Sequence, residues 1–181
     1  MTPIFVYKLY PSFEIPTYGT SMSSCFDLKF QISINDFVKG YSAFNIPIDQ
    51  FLEPPINSTF NYSIRIQPGD RLLIPTGLVF KGHPDESTLQ QFSIRLHARS
   101  SMALKRGLVL ANSEGVIDID YQEQVYVPIM NVSNISQNIE VGERICQAEL
   151  VRNEPVRFEV VDEKPSQHSE RSGGFGSTGN I

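Results

Sequence analysis

Apolar and polar residues alternate with a period of two along much of this chain. Between Gln91 and His97, Phe92, Ile94 and Leu96 fall on one face and Ser93, Arg95 and His97 on the other, the pattern of a half-buried strand. Arg71 to Phe80 is apolar with a break at Pro75, Thr76 and Gly77. Gln124 to Met130, Arg144 to Val151 and Val156 to Val161 read as further strands. Turn signals separate them: Gln67 to Asp70, Asn131 to Asn134, Val141 to Glu143, and Asn153 to Pro155. Many short strands at this spacing predict an all-β sandwich, jelly roll or barrel. Pro128 lacks an N–H, which predicts an edge or bulge position for its strand. One short helix is predicted over Ser100 to Arg106, capped by Ser100 or Ser101 and stopped by Gly107.

Two stretches break the pattern. Residues 31–62 carry several aromatics with Pro47, Pro54 and Pro55, and read as an insertion loop with enough apolar residues to pack down. After Pro155 the chain turns polar, and nothing from Asp162 to Arg171 builds a core. The expected organisation is one domain over 1–161, with the insertion inside it, and a C-terminal arm over 162–181.

Composition narrows the function. The 181 residues fit a single domain, and 40% hydrophobic residues suffice for a core. A net charge of −5 supplies no basic footprint, so direct nucleic-acid binding is not expected. Two cysteines make no disulfide framework, which favours a reducing, intracellular setting. No signal-peptide core or membrane-length apolar run is present. His83, His97 and His168 lack zinc-ligand spacing.

Candidate chemistry lies in three places. Asp118 and Asp120 follow a strand-forming run; either can act as a general base for water, or both can be solvated turn residues. Arg99, Ser100 and Ser101 stand before the short helix, where a guanidinium, hydroxyls and helix-start amides suit an anion, or simply cap a surface helix. Gly173, Gly174, Gly176 and Gly179 surround Phe175, Ser177 and Thr178; such backbone can wrap a phosphate chain, but no Gly-Lys-Ser/Thr follows, so this is not a Walker loop. Asp27 says little alone.

Taken in order, five segments resemble the motifs of the trimeric dUTP pyrophosphatases (dUTPases): Ile15 to Leu28, Ala98 to Gly107, Gly115 to Tyr121, Gly142 to Gln147, and Gly173 to Gly179. The resemblance covers nearly the whole chain apart from residues 31–62. It implies a β jelly roll, a homotrimer with sites shared between subunits, and magnesium-dependent hydrolysis of dUTP to dUMP and pyrophosphate, which limits uracil in DNA and supplies dUMP. By the same resemblance Asp118 activates the water that attacks the α-phosphorus, and Asp27 holds the water shell of Mg2+. Arg99, Ser100, Ser101 and Gln147 meet the phosphates. Tyr121 packs on the sugar and excludes a 2′-hydroxyl. Asn112, with the backbone of Gly115, Val116 and Ile117, reads uracil in a tight hairpin that excludes the 5-methyl of thymine. Phe175 stacks on the base, while Arg171, Gly176, Ser177 and Thr178 close over the terminal phosphates.

The chain departs from the family pattern at Ser101, where glycine is usual, at Cys25 and Phe26, where small residues are usual, and at Ser172, the lone residue between Arg171 and Gly173. Two rivals follow. A dCTP deaminase of the same fold needs a glutamate where Pro128 stands, and proline does no proton chemistry. A regulatory binding protein would use residues 31–62 to hold a partner.

Overall fold

The computed structural model describes residues 3–55, 61–81, 92–164 and 166. Two five-stranded sheets and two small strand pairs, all antiparallel, enclose one core in a jelly-roll-like arrangement. Among the described residues they remain separate ladders and do not merge into a closed barrel.

The first sheet runs β10 (Leu108–Leu110), β12 (Tyr126–Asn131), β7 (Arg71–Pro75), β4 (Phe37–Tyr41), β5 (Pro47–Phe51). The second runs β11 (Gly115–Asp118), β9 (Phe92–Ala98), β14 (Arg144–Arg152), β3 (Phe26–Lys29), β2 (Thr17–Tyr18). β1 (Phe5–Lys8) pairs with β8 (Leu78–Lys81), and β6 (Ser63–Ile66) with β13 (Gln137–Glu140). Alternation sets the faces. Ile94 and Leu96 of β9, Leu72 and Ile74 of β7, and Val127 and Ile129 of β12 are each almost fully buried, about 1.5–3 kcal/mol of hydrophobic stabilisation per side chain.

Several expectations need correction. Residues 31–62 are not a bare loop: β4 and β5 form a hairpin that widens the first sheet, with β4 paired to β7 and Val38 in the core. Pro128 sits in a strand flanked on both sides, yet its carbonyl accepts from the Ala111 amide (2.8 Å), just past the last residue of β10. In an antiparallel strand a residue's nitrogen and carbonyl point the same way, so the missing N–H faces that gap and costs β7 no ladder bond. Val156 to Val161 forms no ladder among the described residues; Val156, Phe158 and Val160 lie 73–98% exposed. The helix α1 (Ser100–Arg106) does stop at Gly107 in the left-handed region (φ 64°), but Arg99 holds the N-cap position and no side chain caps it.

Candidate functional site

Asp27 anchors one group of candidate residues. Register across the second sheet places Thr17, Asp27, Gln147 and His97 in a single row. Asp27 is only 7% exposed, and two arginines face its carboxylate: Arg99 Nε at 3.2 Å from Oδ1 and Arg144 Nη1 at 3.1 Å from Oδ2. Arg99 also donates through Nη1 to the Arg144 carbonyl (3.2 Å). A buried carboxylate needs such partners, because unpaired it would carry a large desolvation penalty. Asp27 Oδ1 and Arg99 Nε sit within ion-pair distance but are not aligned as a hydrogen bond. Ser100 and Ser101 are exposed at the start of α1, next to Arg99. Gln147 is half-buried on β14 beside Asp27. This end of the sheet therefore gathers hydroxyls, an amide, two guanidinium groups and one carboxylate.

The second group lies on the segment from Leu110 to Tyr121. The expected hairpin does not form as a ladder: β10 bonds to β12 in one sheet and β11 bonds to β9 in the other. The 111–114 turn instead carries the chain between sheets. Ser113 adopts φ 64°, its amide donates to the Leu110 carbonyl (3.1 Å), and the Glu114 amide donates to the Asn112 carbonyl (2.7 Å). Asn112 is exposed on this turn and borders a cavity of about 530 Å³ that Tyr41 and Asn45 of the β4–β5 hairpin, Arg71 and Pro128 also line. Gly115 is buried, and a Cβ there would stand 2.9 Å from Leu96 Cβ, so only glycine lets β11 lie this close to β9. Val116 points outward and Ile117 packs on the core.

Asp118 ends β11, exposed, in register opposite Ser93. Its carbonyl accepts from the Tyr121 amide (3.1 Å), which turns the chain so that Tyr121 follows directly. The Tyr121 hydroxyl donates to the Gln124 carbonyl (3.1 Å). Partial burial and then the Glu123 carboxylate push that phenol above its ordinary range, so it stays protonated.

Asp118 stands apart from the first group within one chain, whereas the 111–114 turn, at the other end of β11, lies against His97. Asp118 lies opposite Ser93 near the start of β9, while Arg99 and Ser100 follow its far end. Six residues of strand span about 20 Å, beyond the reach of a general base that must touch its target directly or through one water. Arg171, Phe175, Gly176, Ser177 and Thr178 fall outside the described residues.

Sequence reasoning missed Arg144 and a cluster on the outer face of the second sheet formed by Arg95, His97, Glu114 and Glu149. Their partnership depends on strand register, which no local motif reports. Among the described residues no group of three or more His, Cys, Asp or Glu is arranged to hold a metal ion, and no helix is long and apolar enough to cross a membrane.

Comparison with known proteins bears on this arrangement. The dUTPase family model matches residues 59–179. The deoxyuridine 5′-triphosphate nucleotidohydrolase of Finegoldia magna is 37% identical over 119 residues, 64% of this chain and 76% of that protein. The Staphylococcus bacteriophage 80alpha dUTPase with dUPNHPP superposes with a TM-score of 0.69 at 19% identity, covering 99% of each chain. A mutant dUTPase of phage phi11 of S. aureus, which coordinates a structural Mg(II) ion, gives 0.63 at 15% identity over 91% of this chain and 99% of that one. At these identities the two structures establish the fold.

Proposed function

This chain belongs to the dUTPase family, and from that premise we propose that it hydrolyses dUTP to dUMP and pyrophosphate at sites completed by neighbouring copies in a homotrimer. The observation that carries the shared site is the separation of Asp118 from Arg99 and Ser100 by the length of β9. One chain supplies the base-reading turn and Asp118; another supplies Arg99, Ser100, Ser101, Gln147 and Asp27. The exposed row of Val156, Phe158 and Val160 supports association, since an extended apolar segment with no partner strand among the described residues favours pairing with another chain.

In this mechanism Asp118 takes a proton from water as the oxygen attacks the α-phosphorus. The bond from that phosphorus to the bridging oxygen breaks, and pyrophosphate leaves with the electron pair. Phosphoryl transfer leaves the protein little covalent work, so positioning and charge neutralisation set the rate. Ser100 and Gln147 orient the phosphates, with Arg99 and Arg144 supplying positive charge beside them. Asn112 and the Gly115–Ile117 backbone bond the uracil edge. Tyr121, a neutral phenol on a tight turn, covers the sugar where a 2′-hydroxyl would clash. Phe175 covers the base, and Arg171, Gly176, Ser177 and Thr178 meet the terminal phosphates and exclude water.

The residues present fit magnesium that arrives with the triphosphate, not a protein cage. Magnesium keeps several waters and needs only one or two carboxylates beside substrate phosphates, and Asp27 Oδ1 retains an acceptor without an aligned donor. Bound there through water, the ion would neutralise phosphate charge.

The test is a panel of dUTP, UTP, dTTP and dCTP, each with magnesium, followed by pyrophosphate and ammonia release. Pyrophosphate from dUTP alone is expected. Ammonia from dCTP would instead establish the deaminase, and silence with all four would leave a binding protein.

A further inference from the structure

The 111–114 turn joins two sheets without a ladder of its own, so something else must hold it still. Ser113 at φ 64° is a non-glycine residue in the left-handed region, a conformation that persists only where its surroundings enforce it. The candidate restraint is the Glu114 side chain. Arg95 Nη1 donates to Glu114 Oε2 at 3.3 Å, and Glu114 Oε1 lies 3.9 Å from His97 Nδ1. His97 Nε2 lies 3.0 Å from Glu149 Oε1 on β14. Arg95 is fixed from behind: its Nε donates to Ser93 Oγ (3.2 Å), which donates to Asn153 Oδ1 (3.1 Å). These contacts run from the turn, over β9, to β14.

We infer that Glu114 is a positioning residue for base recognition, tying the turn that carries Asn112 to β9 through Arg95 and His97. The inference rests on the dUTPase reading and deepens it. Discrimination against a 5-methyl group requires a wall that does not yield, and a turn free to shift by a fraction of an ångström admits the methyl. The Asn112 carbonyl accepts from the Glu114 amide at 2.7 Å, so movement of residue 114 passes directly to residue 112. Glu114 also lies against His97, in the row of Gln147 and Asp27, and its partner Arg95 holds Ser93 opposite Asp118, so the ratio between the two bases, not the rate alone, isolates its effect on base recognition.

Steady-state kinetics of Glu114→Gln with dUTP and dTTP test this. Half-exposed ion pairs are individually weak, so kcat/KM for dUTP is expected to fall about two- to fivefold. The ratio of kcat/KM for dUTP over dTTP should fall. His97→Gln should move the same ratio in the same direction, and serves if the first variant folds poorly. In an Arg95→Met background Glu114→Gln should add little, because its main partner is already gone. A purely structural role would lower the melting temperature and leave the dUTP-to-dTTP ratio fixed; an unchanged ratio in both single variants overturns the inference. A wild type that does not hydrolyse dUTP would fail the underlying reading instead, which is a separate outcome.

Discussion

At the scale of single residues the site is organised around one buried charge. Asp27 pairs with Arg99 and Arg144, and Cys146, opposite Leu28 on β14, responds to the same charges. Burial, reinforced by the Asp27 carboxylate and opposed by the Arg99 guanidinium, pushes the Cys146 thiol from 9.0 up to about 12. The folded chain thus keeps a proton that the unfolded chain releases. The resulting stability is complete below pH 9.0 and is lost as pH rises toward about 12. Urea midpoints should therefore decline above pH 9.0, and replacing Cys146 by serine should flatten that part of the decline. Iodoacetamide should leave Cys146 unmodified in native protein at neutral pH and alkylate it in urea; ready labelling of the native chain would contradict its burial. Asp27, Arg99 and Gln147 were legible in the sequence through the motifs around them. Arg144 was not, although it stands inside the same segment as Gln147, because its role follows from facing Asp27 across a strand pair with a register shift. Glu114 and His97 were invisible for the same reason.

At the scale of elements, strands with strict alternation were legible and those without it were not. Phe92 to Ala98 buries Ile94 and Leu96 on one face as expected, and the apolar run Arg71 to Pro75 forms a strand with Leu72 and Ile74 buried and Leu73 turned outward. Phe37 to Tyr41 contains Gly40 and exposed aromatics, and its neighbour begins with Pro47, so composition pointed to a loop. Gly40 is in fact the reason β4 can dock. A Cβ there would stand 2.2 Å from the Arg71 carbonyl oxygen and 2.5 Å from Leu72 Cδ2. Gly40→Ala should therefore cost about 1–3 kcal/mol through overpacking, seen as a lower melting temperature. Unaltered stability would mean that β4 does not lie against β7. Removing residues 35–60 would delete two sheet strands along with Val38, so single exposed positions such as Phe51 are the better probes of any partner contact. Val156 to Val161 shows the converse. Its alternation is strand-like, yet it joins no ladder among the described residues, although both sheets have open edges there.

At the scale of the whole molecule, the fold places the proposed base, Asp118, and the proposed phosphate contacts, Arg99 and Ser100, at opposite ends of one strand. Sequence motifs named both groups but carried no distance between them; β9 supplies it. A trimer in which each chain gives one end to each of two neighbouring sites resolves the separation, with heterologous contacts that close into a ring. Complementation between two inactive variants tests this most directly. Asp118→Asn removes the proposed base, and Ser100→Ala removes a proposed phosphate contact at the other end. Each alone should turn over dUTP far below the wild-type rate. Unfolded together in equal amounts and refolded, they should regain about a quarter of the wild-type rate, because on random mixing about one site in four draws both intact halves. A mixture no more active than the two variants measured separately would contradict the shared site, and with it the assignment of Asp118 and Ser100 to one reaction.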